Sequence, residues 1–295
     1  MNVYDCKIIS KEYISKGQFF LEIESPEIAR ECKAGQFVNV QCDSLLRRPI
    51  SISGVNREKN TFTIGIRVKG SGTAYLNELT VGDVISVLGP LGTAFDLSDT
   101  ETVVAVGGGI GVFPLMFLLH EAKLNNKKTI TVCGFRSKDD SFCLDKLEAL
   151  SDEVIFASEC GDLHVCGNAV DALKTISLDG CKIFTCGPTP MMKYVSELAQ
   201  AKNVPCQVSL EERMGCGTGI CLVCACKIKA KKETETSDSR IPYSNEKVSE
   251  SNNLHNSEKT ADSIKQTNNN QENDFEYKRC CKDGPVFDSK EVVWE

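Results

Sequence analysis

Alternating apolar and polar positions run through the first third of the chain. Val3–Ile9, Phe19–Ile23, Phe37–Gln41 and Thr61–Val68 repeat with a period near two and are separated by turn residues. Residues 1–97 carry no helical period, and Gly82-Asp83 and Gly89-Pro90 punctuate the end of the run. Several short strands of this kind predict a small closed antiparallel barrel. From about residue 98 the period changes. Apolar runs at Thr102–Val106, Ile130–Gly134, Val154–Ala157 and Ile183–Gly187 alternate with helical stretches, one of them running from Pro114 to Leu124. Strand–helix alternation of this length predicts a doubly wound parallel α/β sheet over 98–205. Residues 206–295 form a third, smaller unit rich in cysteine and glycine, interrupted by a polar insertion at 229–275. Residues 231–274 hold eight asparagines, 15 charged residues and six apolar ones counting Ala261. Such a segment cannot bury a core and is expected to be disordered.

The chemistry concentrates in residues 211–226, Glu-Glu-Arg-Met-Gly-Cys-Gly-Thr-Gly-Ile-Cys-Leu-Val-Cys-Ala-Cys. Cys216, Cys221 and Cys224 have the C-x4-C-x2-C spacing of a plant-type 2Fe–2S loop, which takes one more cysteine from elsewhere. Gly215, Gly217 and Gly219 let the backbone wrap around a cluster and bring its amides to the sulfurs. Ordinary buried thiols and a structural zinc site are the rivals. Zinc ribbons pair one C-x2-C with another, and the chain has no second C-x2-C. Cys226 is too close to Cys224 to reach the far side of a cluster. The fourth ligand is then Cys280 or Cys281, and spacing does not separate two neighbours.

Two polar features interrupt the barrel. One is Arg47-Arg48-Pro49-Ile50-Ser51. The other is Arg67-Val68-Lys69-Gly70-Ser71-Gly72-Thr73, a glycine turn that opens a helix. A helix start with free amides and the Thr73 hydroxyl would attract a phosphate. In the α/β region, Gly107-Gly108-Gly109-Ile110-Gly111 lies between the first strand and its helix, where a dinucleotide pyrophosphate binds. The pattern departs from G-x-G-x-x-G at Val112, and no acidic residue ends the second strand. Taken alone it would fit a tight turn without ligand. Cys186-Gly187-Pro188 adds a second glycine turn at a strand's carboxyl end, on the ligand-binding edge of such sheets.

Composition narrows the function. A net charge of −7 with no basic stripe argues against a nucleic-acid partner. No apolar run is long enough to cross a membrane and no secretory leader is evident, so the sixteen cysteines are expected to be reduced thiols in a cytoplasm.

The order Arg-Pro-Ile-Ser, Gly-Ser-Gly-Thr, Gly-Gly-Gly-Ile-Gly, Cys-Gly-Pro resembles the ferredoxin–NADP reductase superfamily. Within it, Arg48-Pro49-Ile50-Ser51, Glu211–Gly217 and the closing Cys281-Lys282-Asp283-Gly284-Pro285-Val286-Phe287 resemble the electron-transfer subunits of type B dihydroorotate dehydrogenase. The resemblance covers residues 1–228 and 275–295. It implies FAD in the barrel, a nicotinamide dinucleotide, NAD, on the α/β sheet as substrate, and a 2Fe–2S cluster in the third unit. Arg48, Pro49, Ile50 and Ser51 would line the flavin, Gly65, Ile66 and Arg67 would continue that surface, and Gly72 with Thr73 would hold the pyrophosphate. Gly107, Gly108, Gly109, Gly111, Cys186, Gly187 and Pro188 would face the nicotinamide nucleotide. Cys216, Cys221, Cys224 and Cys281 would hold the cluster, Cys281 because it directly precedes Lys-Asp-Gly-Pro-Val-Phe. In the relatives only a short hairpin separates the last two ligands, whereas 56 residues lie between Cys224 and Cys281 here. A flavin passes two electrons to a nicotinamide and one at a time to a cluster, so it belongs between them. No catalytic residue for orotate chemistry is expected in this chain. The resemblance instead implies an FMN-bearing dihydroorotate dehydrogenase catalytic subunit as partner, in a heterotetramer. A self-standing flavin and iron–sulfur NAD(P)H reductase feeding an oxygenase or another redox partner is the alternative, and a zinc-stabilised interaction module without flavin is the third.

Overall fold

The structure, a computed structural model, describes residues 2–230 and 274–294. The insertion expected to be disordered lies outside the described residues, apart from its two ends.

Six antiparallel strands close a barrel: β1 (Asn2–Ser15), β2 (Gln18–Glu24), β3 (Phe37–Val40), β4 (Arg48–Asn56), β5 (Thr61–Arg67) and β6 (Val84–Leu91), in the order β1-β2-β5-β4-β3-β6. The period-two pattern has the expected cause. On β5, Phe62, Ile64 and Ile66 point into the core and are fully or almost fully buried, while on the other face Thr63 is half-buried, Arg67 is exposed and Gly65 is covered by Phe113. Two short helices join the strands, α1 (Pro26–Glu31), capped by the Ser25 hydroxyl, and α2 (Ser71–Glu78).

The second unit opens with β7 (Thr102–Gly108), a 3-10 turn at Gly109–Gly111 and α3 (Val112–Leu124). It continues through β8 (Lys128–Phe135), α4 (Leu144–Ala149), β9 (Glu153–Ser158), β10 (Val165–Cys166), α5 (Ala169–Leu173), β11 (Cys181–Cys186), α6 (Thr189–Ala201) and β12 (Cys206–Ser209). Helix α3 is apolar on nearly every side because it is covered on nearly every side. It packs on the sheet and also on the barrel, where the Phe113 and Phe20 rings meet edge to face at 5.2 Å.

The third unit holds a two-stranded ribbon, β13 (Ala225–Lys229) with β14 (Phe275–Arg279), and then β15 (Val286–Asp288). The expected boundary at residue 205 falls inside the sheet, whose order is β10-β9-β8-β7-β11-β12-β15. Residues 206–209 extend it in parallel, and β15 closes its edge antiparallel to β12. The reason is an exposed edge: β12 would leave a row of unpaired backbone groups, and the returning chain covers it. Among the described residues no helix is long and apolar enough to cross a membrane.

The ribbon brings both ends of the insertion together, with the Ala230 amide 3.0 Å from the Asp274 carbonyl. Replacing residues 231–273 by a short turn should therefore leave the cluster signal and the melting temperature unchanged or slightly raised. Shortening a loop lowers its closure entropy, here by about 1 kcal/mol. Loss of the cluster in that deletion would show that the insertion belongs to the iron–sulfur unit.

Candidate functional site

Strand β4 begins with Arg48, Pro49, Ile50 and Ser51, all half-buried. The start of α2 lies against them. A Cβ on Gly72 would fall 2.5 Å from Arg48 Nε and 2.9 Å from Cys42 Sγ, so the bare glycine lets the helix terminus lie against the arginine as it stands here. Two features far apart in sequence thus lie together, a guanidinium beside the amides of a helix start. That donor set fits a dinucleotide pyrophosphate. Thr73 departs from expectation. Its hydroxyl accepts the amides of Lys69 (2.8 Å) and Gly70 (3.2 Å) and donates to the Gly70 carbonyl, so it caps the turn itself. On β5, a Cβ on Gly65 would lie 2.5 Å from the Phe113 ring, and Ile66 is a core side chain. Of the three residues expected to extend the flavin surface, Arg67 alone presents an exposed side chain. Arg48→Ala should weaken FAD binding about 10- to 100-fold, from the loss of about 1.5–3 kcal/mol of charge-assisted hydrogen bonding. The flavin-to-protein ratio after desalting measures it, and full retention would remove Arg48 from the site.

The two glycine turns interlock. Strands β7 and β11 are parallel neighbours with Cys186 opposite Gly107, and the strand order reverses between them. This is the switch point at which open α/β sheets bind ligands. A Cβ on Gly111 would lie 2.2 Å from the Cys186 carbonyl oxygen, and one on Gly108 would lie 2.7 Å from Met191 Sδ and 3.0 Å from Pro188. Gly187, with φ of 155°, abuts the backbone of Gly108 in return. Gly109 is different. Its φ is 53°, and a Cβ there would meet nothing within 4 Å. The backbone at Gly109 therefore faces open space, as close approach of a pyrophosphate requires.

The cysteines fall into two pairs. Cys216 and Cys221 hold each other: the Cys216 amide lies 3.3 Å from Cys221 Sγ, and the Cys221 amide 3.5 Å from Cys216 Sγ. The amides of Thr218 and Ile220 also donate to Cys216 Sγ, at 3.3 and 3.4 Å. Burial opposes ionisation of Cys216, but donors from Thr218, Cys221 and Ile220 outweigh it and hold the thiol at about 5. The second pair is Cys224 and Cys281, with the Cys281 amide 3.4 Å from Cys224 Sγ. Burial and the nearness of Cys224 push the Cys281 thiol up to about 12, a shift that a bound cation reverses. Cys280 points the other way. It is fully buried and donates to the Leu210 carbonyl at 3.4 Å, and burial pushes its thiol far above the ordinary range. Cys226, also buried, donates to the Lys278 carbonyl. Among the described residues no three His, Cys, Asp or Glu side chains stand close enough to hold a metal ion as they lie here. A 2Fe–2S cluster takes four thiolates, and the two pairs supply four soft donors of that kind.

One element escaped the sequence reading. Arg279 forks Asp283, with Nε to Oδ2 at 2.8 Å and Nη2 to Oδ1 at 2.9 Å, and its Nη1 donates to the Gly219 carbonyl at 3.3 Å. The hydrogen bond from Arg279 holds the Asp283 carboxyl down at about 2. This fork closes the turn that presents Cys281 to the cysteine loop. The four-residue spacing of Arg and Asp around Cys-Cys was the available signal. Around the loop, Ile220, Leu222, Val223 and Tyr277 are more than half exposed, a concentration of apolar surface beside the thiols.

Comparison with known proteins gives two domain matches. Residues 5–95 match the oxidoreductase FAD-binding domain, and residues 211–238 with 264–293 match the iron-sulfur cluster binding domain of dihydroorotate dehydrogenase B. The chain is 36% identical over 302 residues to the dihydroorotate dehydrogenase B (NAD(+)) electron transfer subunit of Desulforamulus reducens, covering 99% of each. It is 35% identical to the corresponding subunit of Fusobacterium nucleatum over 79% of this chain and 93% of that one. Among solved structures, that of an NADH-dependent reduced ferredoxin-NADP oxidoreductase, described for flavin-based electron bifurcation, superposes with a TM-score of 0.76. It has 26% identity and covers 98% of this chain and 90% of that chain. Phthalate dioxygenase reductase shares the fold at a TM-score of 0.57 and 17% identity, over 77% of this chain and 87% of that one.

Proposed function

The chain belongs to the electron transfer subunits of NAD(+)-linked dihydroorotate dehydrogenase B, and from that premise we propose that it conducts electrons from a catalytic partner to NAD⁺ in pyrimidine biosynthesis. The partner is an FMN-bearing subunit that oxidises dihydroorotate, and the assembly is a heterotetramer. The barrel takes FAD, the α/β sheet takes NAD, and the third unit takes the 2Fe–2S cluster. When bound, the flavin exchanges hydride with the nicotinamide and single electrons with the cluster, chemistry that no side chain here supplies.

The protein's own residues bind and orient. Arg48 and the amides that open α2 neutralise the FAD pyrophosphate. The open backbone at Gly109, beside the turn at Cys186–Pro188, receives the nicotinamide nucleotide. Cys216, Cys221, Cys224 and Cys281 would hold the cluster. Cys280 packs beneath them and takes no part. The exposed side chains Ile220, Leu222 and Val223 form the rim on which the partner docks. Sixteen cysteines outside any disulfide fit a reducing cytoplasm.

The observation that carries this proposal is the approach of Cys281 to Cys224. It brings together two segments 57 residues apart, each carrying expected cluster ligands. Whole-length similarity to electron transfer subunits favours it over a self-standing reductase. The direct test uses the purified chain under anaerobic conditions. NADH should bleach the flavin absorbance and then produce the paramagnetic signal of a reduced 2Fe–2S cluster. A colourless protein that binds zinc would refute the proposal.

A further inference from the structure

Asn39 is a buried polar residue in the wall of the barrel, 1% exposed, on a strand whose other three members are apolar. Its Nδ2 donates to the carbonyl of Cys216 at 3.2 Å, across 177 residues of sequence. Its Oδ1 is buried without a hydrogen-bond partner. A buried acceptor left unpaired costs about 1–3 kcal/mol, so an apolar residue here would be the cheaper way to fill the space.

The neighbours of Asn39 are informative. In the β3–β4 register it lies directly opposite Pro49, between Arg48 and Ile50 of the strand that lines the flavin site. Arg47 Nη1 reaches the Asn39 carbonyl at 3.3 Å and the Ser86 carbonyl at 2.8 Å, which pins this end of β3 to β6. On the other side, Gly217 has φ of 71°, and a Cβ there would fall 2.5 Å from Asn39 Nδ2. The loop therefore carries glycine at the point where the asparagine amide enters. One side chain thus joins the strand paired to the flavin wall to the carbonyl of the first cysteine of the loop.

We infer that Asn39 is a positioning residue for electron transfer: its amide fixes the cysteine loop against the flavin-binding strand and so sets the spacing and orientation of the two redox centres. The inference rests on the function proposed above. It extends that function to a residue that binds neither group through its side chain. Electron transfer slows as two centres move apart or reorient, so a tie between two loaded sites reads out in rate as well as in stability, where a neutral hydrogen bond contributes about 1 kcal/mol.

The test compares Asn39→Leu, which removes the donor and keeps the same branched heavy-atom skeleton, with Asn39→Gln, which keeps a carboxamide. Each variant, as the full chain with both cofactors, is mixed anaerobically with NADH. Flavin bleaching is followed by stopped flow, and cluster reduction by freeze-quench paramagnetic resonance. Flavin bleaching should be equal in all three proteins. Cluster reduction should slow about 10-fold in Asn39→Leu and recover to near the parent rate in Asn39→Gln. Unslowed cluster reduction in Asn39→Leu would overturn the inference, as would a fully loaded Asn39→Gln as slow as the leucine variant. If Asn39→Leu sheds its cluster, retention in Asn39→Gln supports the role of the amide, and loss in both overturns it. Absence of cluster reduction in the parent protein would instead count against the proposed function.

Discussion

Cys281→Ser should abolish or strongly perturb the 2Fe–2S signal, and Cys280→Ser should leave it largely intact. The two positions are adjacent, yet their surroundings are opposite. The Cys281 amide lies 3.4 Å from Cys224 Sγ, and its thiol belongs to the set that would hold the cluster. A hard oxygen in place of a soft thiolate at that position removes a ligand that iron–sulfur chemistry requires. Cys280 donates to the Leu210 carbonyl from a fully buried site beneath the loop. Serine keeps that hydrogen bond and loses some packing, at a cost of about 1 kcal/mol in folding stability. Iron content and paramagnetic resonance of the reduced protein decide the matter. The reverse result, with the signal lost in Cys280→Ser and kept in Cys281→Ser, would exchange the two roles.

Gly109→Val should raise the KM for the nicotinamide nucleotide about 10- to 100-fold while FAD and iron content stay at parent levels. Gly109 has φ of 53° and open space where a side chain would stand. A β-branched residue pays about 1–3 kcal/mol to adopt that backbone and also covers the amides a pyrophosphate would use. Gly111→Ala makes the contrast. There a single methyl would collide with the Cys186 carbonyl oxygen, so the damage falls on the packing of the turn after β7 against the end of β11. The expected outcome for Gly111→Ala is a lowered melting temperature, with weaker nucleotide binding as a consequence. Steady-state kinetics with a dye acceptor, together with flavin and iron assays, separate the two. An unchanged KM in Gly109→Val would move the pyrophosphate away from this turn.

Much of this arrangement was legible in local pattern. Period-two runs such as Thr61–Val68 marked barrel strands because one face of each is core. The glycine turn after Val106 marked the switch point because the backbone there must approach a neighbour closely. What stayed hidden depends on contacts between distant segments. Val286–Asp288 is three residues long and gains its strand conformation from the edge of β12, so no local signal assigned it to the α/β sheet. Thr73 carried the right hydroxyl for a phosphate, but the turn amides of Lys69 and Gly70 claim it first. Asn39 sits in Phe-Val-Asn-Val, where alternation alone would send it to solvent. It is buried because the cysteine loop, 177 residues later, covers that face. Cys280 and Cys281 were inseparable by spacing because the direction of each thiol is set by the turn that Arg279 and Asp283 close.

The central claim is that this chain is the conductor between dihydroorotate oxidation and NAD⁺. It is tested most directly by anaerobic co-expression with the catalytic subunit, followed by assay of dihydroorotate-dependent NADH formation. NADH should appear when both chains are present. It should vanish when this chain carries Cys281→Ser, while the partner still passes electrons from dihydroorotate to an artificial dye. NADH formation that persists without this chain, or that survives loss of its cluster, would contradict the claim.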